Sequence, residues 1–194
     1  MLARRSTPAE YGAFRLAFAA NLLANVAYIA VVAILYVLMK PAGPTLSAIA
    51  ALMGLAGCAV SSATMVSQLT GLAYLSDASY LAVFSQEQAQ ALARASLQQA
   101  GLGYTLGLVF FGFYCLLLGS LVFRARFLPR LLGLPLTLAG AGWLVGSFGV
   151  LFALSAPLMG YLIPVSGLGE GLFTLWLFVM GVNAGKWREQ EGAP

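Results

Sequence analysis

Three features of this sequence predict an all-α membrane protein, a bundle of five transmembrane helices with one short amphipathic helix between the second and third. Five apolar runs, each of about 20 residues or more, follow one another, and a helix of that length crosses the hydrocarbon of a bilayer. Mostly short turns separate the runs, so nearly all backbone polar groups must be satisfied within helices. Hydrophobic residues make up 61% of the chain and charged residues 8%, a balance outside the range of soluble domains. The 194 residues therefore read as one integral membrane domain with no soluble catalytic module.

A polar lead, residues 1–14, carries Arg4, Arg5, Pro8 and Glu10. The first span, about 16–39, ends at Lys40 and Pro41, a charge followed by a helix breaker. It lacks a small-residue cleavage pattern and so reads as an uncleaved span rather than a signal peptide. Asn21, Asn25 and Tyr28 are spaced by four and three, which stacks them on one helix face. Such a face serves either helix-to-helix hydrogen bonding or a ligand cavity. The second span, about 46–72, sets Gly54, Gly57, Ser61, Thr64 and Gln68 along one stripe, which permits close backbone approach. The Gln68 amide needs partners for both its carbonyl and its NH2 group, so it must face the bundle or water.

The one sizeable polar connection runs from Asp77 to Ala100. Ser85 followed by Gln88 is a capping-box pattern that opens an amphipathic helix over about 85–99. Its Ala89, Leu92, Ala93 and Leu97 oppose Glu87, Gln90, Arg94 and Gln98; an apolar face that small packs on protein or on lipid. The third span, about 102–123, places Tyr104, Gly107, Phe111 and Cys115 on one side. After it come Arg124, Arg126 and Arg130, the densest positive cluster, which suits topology determination or contact with anionic lipid headgroups. The fourth span, about 131–154, offers Pro135, Ala139, Gly142, Gly146, Gly149 and Ala153 as a smooth face for a neighbouring helix. A connection over 155–164 with Pro157 and Pro164 leads to the fifth span, about 165–185.

The fifth span holds Glu170, the only acid inside any long apolar run. A carboxylate there costs several kcal/mol unless it is protonated, paired or open to water, which makes it a site hypothesis. On a helix Glu170 shares a face with Gly167, Thr174, Gly181 and Gly185, opposite Leu168, Leu172, Trp176 and Val179. Alternating span direction sets Glu170, Arg15, Gln68 and Tyr104 at a similar depth, about one or two turns from one surface. The candidate ligand or proton site is thus Glu170 with Arg15, Gln68, Tyr104, Asn21, Asn25 and Thr174.

Several function classes fall away. Histidine is absent, which removes bis-histidine haem, the usual zinc sites and histidine-based serine or cysteine catalysis. Cys58 and Cys115 lie in apolar runs and behave as small hydrophobes, so neither a metal nor another cofactor is expected. The net charge of +4 comes from clusters near span ends, which argues for membrane orientation and against nucleic acid.

The stretch FFGFYCLLLGSLVFRARFLPRLLG at 110–133, with the downstream GLGEGLFTLWLFVMGV at 167–182, resembles a bacterial membrane family known as domain of unknown function 4386. FRLAFAANLLANVAYIAVVAILYVLMKP at 14–41 is similar to it as well, so the resemblance covers most of the chain. It implies a multi-pass inner-membrane protein of uncharacterised activity and supplies no catalytic residues. Members of that family carry one more span ahead of the region matching Phe14. The resemblance therefore implies either a core that tolerates five spans or a partner, another helix or a second copy, in the vacant place.

Five spans put Lys40, Arg124, Arg126, Arg130, Lys186 and Arg188 on one side of the membrane and Arg4, Arg5, Arg15 and Arg94 on the other. The richer side is expected to be cytoplasmic, with the N-terminus out and the C-terminus in. A non-enzymatic protein of the bacterial inner membrane, structural or binding a lipid-like or other small apolar ligand near Glu170, fits these features first. A small proton-coupled transporter using Glu170 comes second, and an intramembrane enzyme third, because no acid–base pair or activated nucleophile is visible.

Overall fold

The computed structural model describes residues 8–75, 83–152 and 156–192. Helices account for almost all of them, with no strand among them: α1 (Pro8–Met39), α2 (Pro44–Ala73), α3 (Gln86–Arg124), α4 (Gly133–Leu151), α5 (Ala156–Val179) and α6 (Ala184–Glu191). Single 3-10 turns at Lys40–Ala42 and Arg130–Leu132 make the two tight connections. Four stretches, Gly12–Ala42, Pro44–Ala73, Gln86–Arg124 and Arg130–Leu151, are long and apolar enough to cross a membrane. Pro164–Val179 adds a fifth when joined to α6 across a 102° bend. The chain is an all-α membrane bundle. Arg4, Arg5, Asp77 and Ala153 lie outside the described residues.

Three boundaries differ from the sequence expectation, the first being that α1 begins at Pro8, inside the expected polar lead, rather than near residue 16. The amphipathic helix and the third span are one continuous helix of 39 residues, about 58 Å long against a hydrocarbon core of about 30 Å. Its start is the capping box as read: the Ser85 N–H donates to Gln88 Oε1 at 2.9 Å, and the Gln88 N–H donates to Ser85 Oγ at 3.2 Å. Nothing between Gln98 and Leu102 breaks the helix, since Gly101 costs only about 1 kcal/mol in a helix interior. The amphipathic turns pack on protein, with Ala93 buried and Leu97 against the Gly71 position of α2. The fifth span is likewise displaced, beginning at Ala156 and running through Pro164 without a turn. A proline inside a membrane helix removes one backbone bond, and neighbouring helices let the chain tolerate it.

Helix contacts follow chain order: α1 on α2, α2 on α3, α3 on α4 and α4 on α5. Each later pair is antiparallel and closes through small residues. A Cβ at Gly57 would stand 3.0 Å from the Phe111 ring, one at Gly54 2.9 Å from Val32, and one at Gly107 2.7 Å from Ser61 Oγ. Between α3 and α4, a Cβ at Gly140 would meet the Gly112 carbonyl oxygen at 2.7 Å and the Leu116 nitrogen at 2.8 Å. On the far side of α4, Gly142 receives Ser166, and Gly169 of α5 sits on Pro135 and Ala139. The smooth face read from α4 thus packs on α5, with Ala139, Gly142 and Gly149 buried and Gly146 half-buried. A second small face, Gly133 and Gly140, serves α3.

The dense core occupies one end, where Val32, Leu35 and Met39 meet Tyr114, Leu118, Leu121, Val122 and Phe173. Here α6 closes the bundle. Gly181 takes φ 64°, a left-handed conformation that glycine adopts without steric cost, and turns the chain after α5. Asn183 Oδ1 then accepts from the Lys186 N–H at 3.0 Å to cap α6. The Trp187 indole donates to the Leu38 carbonyl at 2.9 Å, and Gln190 Oε1 accepts from the Arg126 N–H at 2.8 Å. The arginine-rich strap is half-buried in consequence: Ala125, Phe127 and Leu128 point in, while Arg124, Arg126 and Arg130 are exposed.

Because the obstacles around Gly140 are backbone atoms of α3, Gly140→Leu should overpack the α3–α4 contact and lower stability by about 1 to 3 kcal/mol. Leu134→Ile, at an exposed position on the same helix, should be nearly neutral. Thermal unfolding in mild detergent compares the two, and equal transitions would contradict this packing.

Candidate functional site

The end remote from α6 is looser. Val32, Leu35 and Met39 are buried, but every described α1 residue from Gly12 to Val31 is exposed or half-buried, so only the second half of α1 enters the core. Helices α1 and α5, the two ends of the packing order, make no extensive contact with each other. Between them, on the concave side of the array, lies a cavity of about 230 Å³ to which all five long helices contribute. From α1 come Asn21, Ala24, Asn25 and Tyr28; from α2 Ser61, Thr64, Met65 and Gln68. Helix α3 adds Tyr104, Leu108 and Phe111, α4 adds Trp143 and α5 adds Glu170.

Glu170 forms one end of this cavity. The Trp143 indole N–H donates to its Oε1, and the Cys115 thiol lies 3.5 Å from the same oxygen. Oε2 takes no hydrogen bond from the described residues. No lysine or arginine lines the cavity among the described residues, so none of these places a cation opposite the carboxylate. Asn25 anchors the α1 wall by donating to Ser62 Oγ at 2.7 Å and to the Cys58 carbonyl at 3.2 Å. Tyr28 meets the Phe111 ring edge-on at 5.0 Å between centroids and Tyr114 at 6.4 Å, which fixes the aromatic wall. Ser61 Oγ and the Tyr114 hydroxyl are buried and have no hydrogen-bond partner among the described residues.

Of the seven residues picked out in the sequence for this site, the structure brings together Glu170, Gln68, Tyr104, Asn21 and Asn25. Arg15 is exposed and outside the cavity, so it does not face Glu170. Thr174 is exposed too, as is Gly167. The buried stripe of α5 is Ser166, Gly169 and Phe173, rotated from the expected face because Gly169 is where α4 can come closest. Trp176 packs against the core rather than facing away from it. Glu170 itself lies deeper in its helix than the expected one or two turns. Glu170 lies 14 residues beyond Ala156, about 21 Å into α5 and far from its N-terminus. Cys115, which touches Glu170, is 11 residues from Tyr104 on α3, so these two backbone positions lie about 16 Å apart along the helix, while the Tyr104 and Glu170 side chains line the same cavity.

Sequence reasoning passed over Trp143, as it did the apolar lining residues Ala24, Met65 and Leu108. A tryptophan in mid-span carries an N–H that needs an acceptor once buried, a signal that could have found it. No group of three or more Cys, Asp or Glu side chains gathers among the described residues, so the chemistry available is that of one carboxylate, amides, hydroxyls and rings. Cys115 is 1% exposed and offers no face to a substrate.

Fold and cavity together define an all-α membrane bundle with an interhelical pocket of mixed polar and apolar lining. The family described as "Domain of unknown function (DUF4386)" matches residues 5–181, and the chain belongs to it. An uncharacterized protein of Archaeoglobus fulgidus is 32% identical over 82 residues, 39% of this chain and 44% of that protein, so the match spans less than half of the relative's length. No solved structure matches the chain.

Asn25→Leu should detach α1 from α2 by removing two interhelical hydrogen bonds, at a cost of about 0.6 to 2 kcal/mol. Asn21→Leu, at an exposed position, should cost less. Amide hydrogen exchange across residues 14–28 is the measurement, and equal protection in both variants would show that Asn25 is not the anchor.

Proposed function

We propose that this protein is a non-enzymatic integral membrane protein that binds a small, amphipathic, lipid-like ligand in the cavity between α1 and α5. The observation that carries this reading is a pocket with aromatic and aliphatic walls and a carboxylate at one end, set beside the gap between α1 and α5. Sites for small molecules are mostly apolar with a few polar groups that fix orientation, and this lining has that character. A ligand dissolved in the bilayer reaches such a pocket sideways.

A proton-coupled carrier is the second reading, favoured by Glu170 in the cavity, whose Oε2 takes no hydrogen bond from the described residues. Enzymatic chemistry is disfavoured, since the one thiol near the carboxylate is enclosed. For location we propose the cytoplasmic membrane of a bacterium, with the α6 end inside. Lys40, Arg124, Arg126, Arg130, Lys186 and Arg188 all belong to that end. The three exposed arginines of the strap are then placed for anionic headgroups.

Mass spectrometry of protein purified in mild detergent should find a co-purifying small molecule, and Ala24→Phe, which fills the cavity from the exposed α1 side, should abolish it. Retention of the same molecule by the Ala24→Phe variant would place binding elsewhere. Single cysteines at Gln98 and Arg126, introduced with both native cysteines replaced by alanine, should label from opposite sides of the membrane, Arg126 from the cytoplasm. Labelling of both from one side would overturn the proposed crossing of α3.

A further inference from the structure

We infer that the ligand of this cavity is positively charged: a small organic cation of the alkyl- or arylammonium class, held between Glu170 and the aromatic rings. The inference rests on the cavity being a ligand site and specifies the chemistry of its occupant.

Charge is the first argument. Among the described residues Glu170 is the one acid in the lining, and no lysine or arginine accompanies it there. Arg15, the nearest cation by sequence expectation, is exposed outside the cavity. A carboxylate at this depth is costly unless its charge is balanced. In this cavity that balance must come from a proton or from a bound cation. An anionic ligand would meet repulsion from Glu170 and find no positive side chain.

The second argument is geometric. Trp143 and Cys115 both approach Oε1, which orients the carboxyl group and leaves Oε2 for an incoming group. Tyr28, Tyr104, Phe111 and Trp143 line the same space, and the negative face of an aromatic ring attracts a cation, more strongly once water is excluded. Tyr28 and Phe111 are locked edge-on to each other, so these two rings need little further ordering on binding. Rings together with one carboxylate replace the hydration of an ammonium group; a neutral apolar ligand would use the rings and leave the charge unbalanced.

Size narrows the class. At about 230 Å³ the cavity is below the roughly 300–1,000 Å³ of drug-sized pockets, which suits one ring with short substituents.

The test uses the full chain in lipid nanodiscs and equilibrium dialysis with radiolabelled phenyltrimethylammonium and its neutral isostere tert-butylbenzene. Saturable binding is scored by displacement with excess unlabelled probe. Wild type should bind the cation saturably and at least tenfold more tightly than the isostere, a comparison that needs no variant. Glu170→Gln should lower cation affinity at least tenfold, and Ala24→Phe should remove saturable binding of both probes. Equal affinity for cation and isostere, or cation affinity unchanged in a folded Glu170→Gln protein, overturns the charge assignment and leaves the cavity as a site for neutral molecules. Absence of saturable binding of either probe to folded wild type overturns both the charge assignment and the ligand-site reading.

Discussion

Close backbone approach of α3 to α2 and to α4 is the constraint on which the rest of the structure depends. Lipid tails are as apolar as leucine, so burying hydrophobic surface gives membrane helices little reason to associate; dispersion contacts and hydrogen bonds must do it. Gly54, Gly57, Gly107, Gly112, Gly133 and Gly140 remove the side chains that would hold the axes apart. Phe111, Ser61 and Leu144 fill the space so opened. The same economy runs outward to α5 through Gly142 and Gly169. Helix order in space therefore copies helix order in sequence, and α1 and α5 are left as the two free flanks.

The cavity follows from that arrangement. Two ends of the bundle are treated differently: one is filled by Leu118, Leu121, Val122 and Phe173 and closed by α6, whereas the other has polar side chains where a core would need apolar ones. Polar groups at membrane depth are tolerated when they face a bundle interior or a water-filled space. Asn25 is held by two hydrogen bonds to α2, which ties the α1 flank down just where the cavity begins. Glu170 is steadied by Trp143 from the neighbouring α4, so its position depends on the same Gly142 and Gly169 contacts that seat α5.

The closed end has its own logic. The strap after α3 alternates, with Ala125, Phe127 and Leu128 buried and the arginines outside, and α6 holds its backbone through Gln190 and Asn183. A positive cluster read only for its charge is thus also a packed connection. Its apolar residues fix where α3 stops and α4 starts, and through them the registers that build the cavity.

Much of this was legible in the residues alone. Length and continuity of the apolar runs set the all-α membrane class, because only a helix satisfies its own backbone in hydrocarbon. Spacing of three and four was enough to align Asn21, Asn25 and Tyr28, and likewise Ser61, Thr64 and Gln68, since those residues share a face of one rigid element. Which faces meet was a matter for tertiary packing. Glu170 and Thr174 are one turn apart, yet only Glu170 reaches the cavity, because the rotation of α5 is fixed by Gly169 against α4. The depth of Glu170 depended on a helix that passes through Pro164, and the isolation of Arg15 on the outward rotation of α1. Periodicity along a chain carries the angle of each side chain about its own helix; the rotation and register of one helix against another arise from close contacts between residues far apart in sequence, and those are settled only when the helices pack.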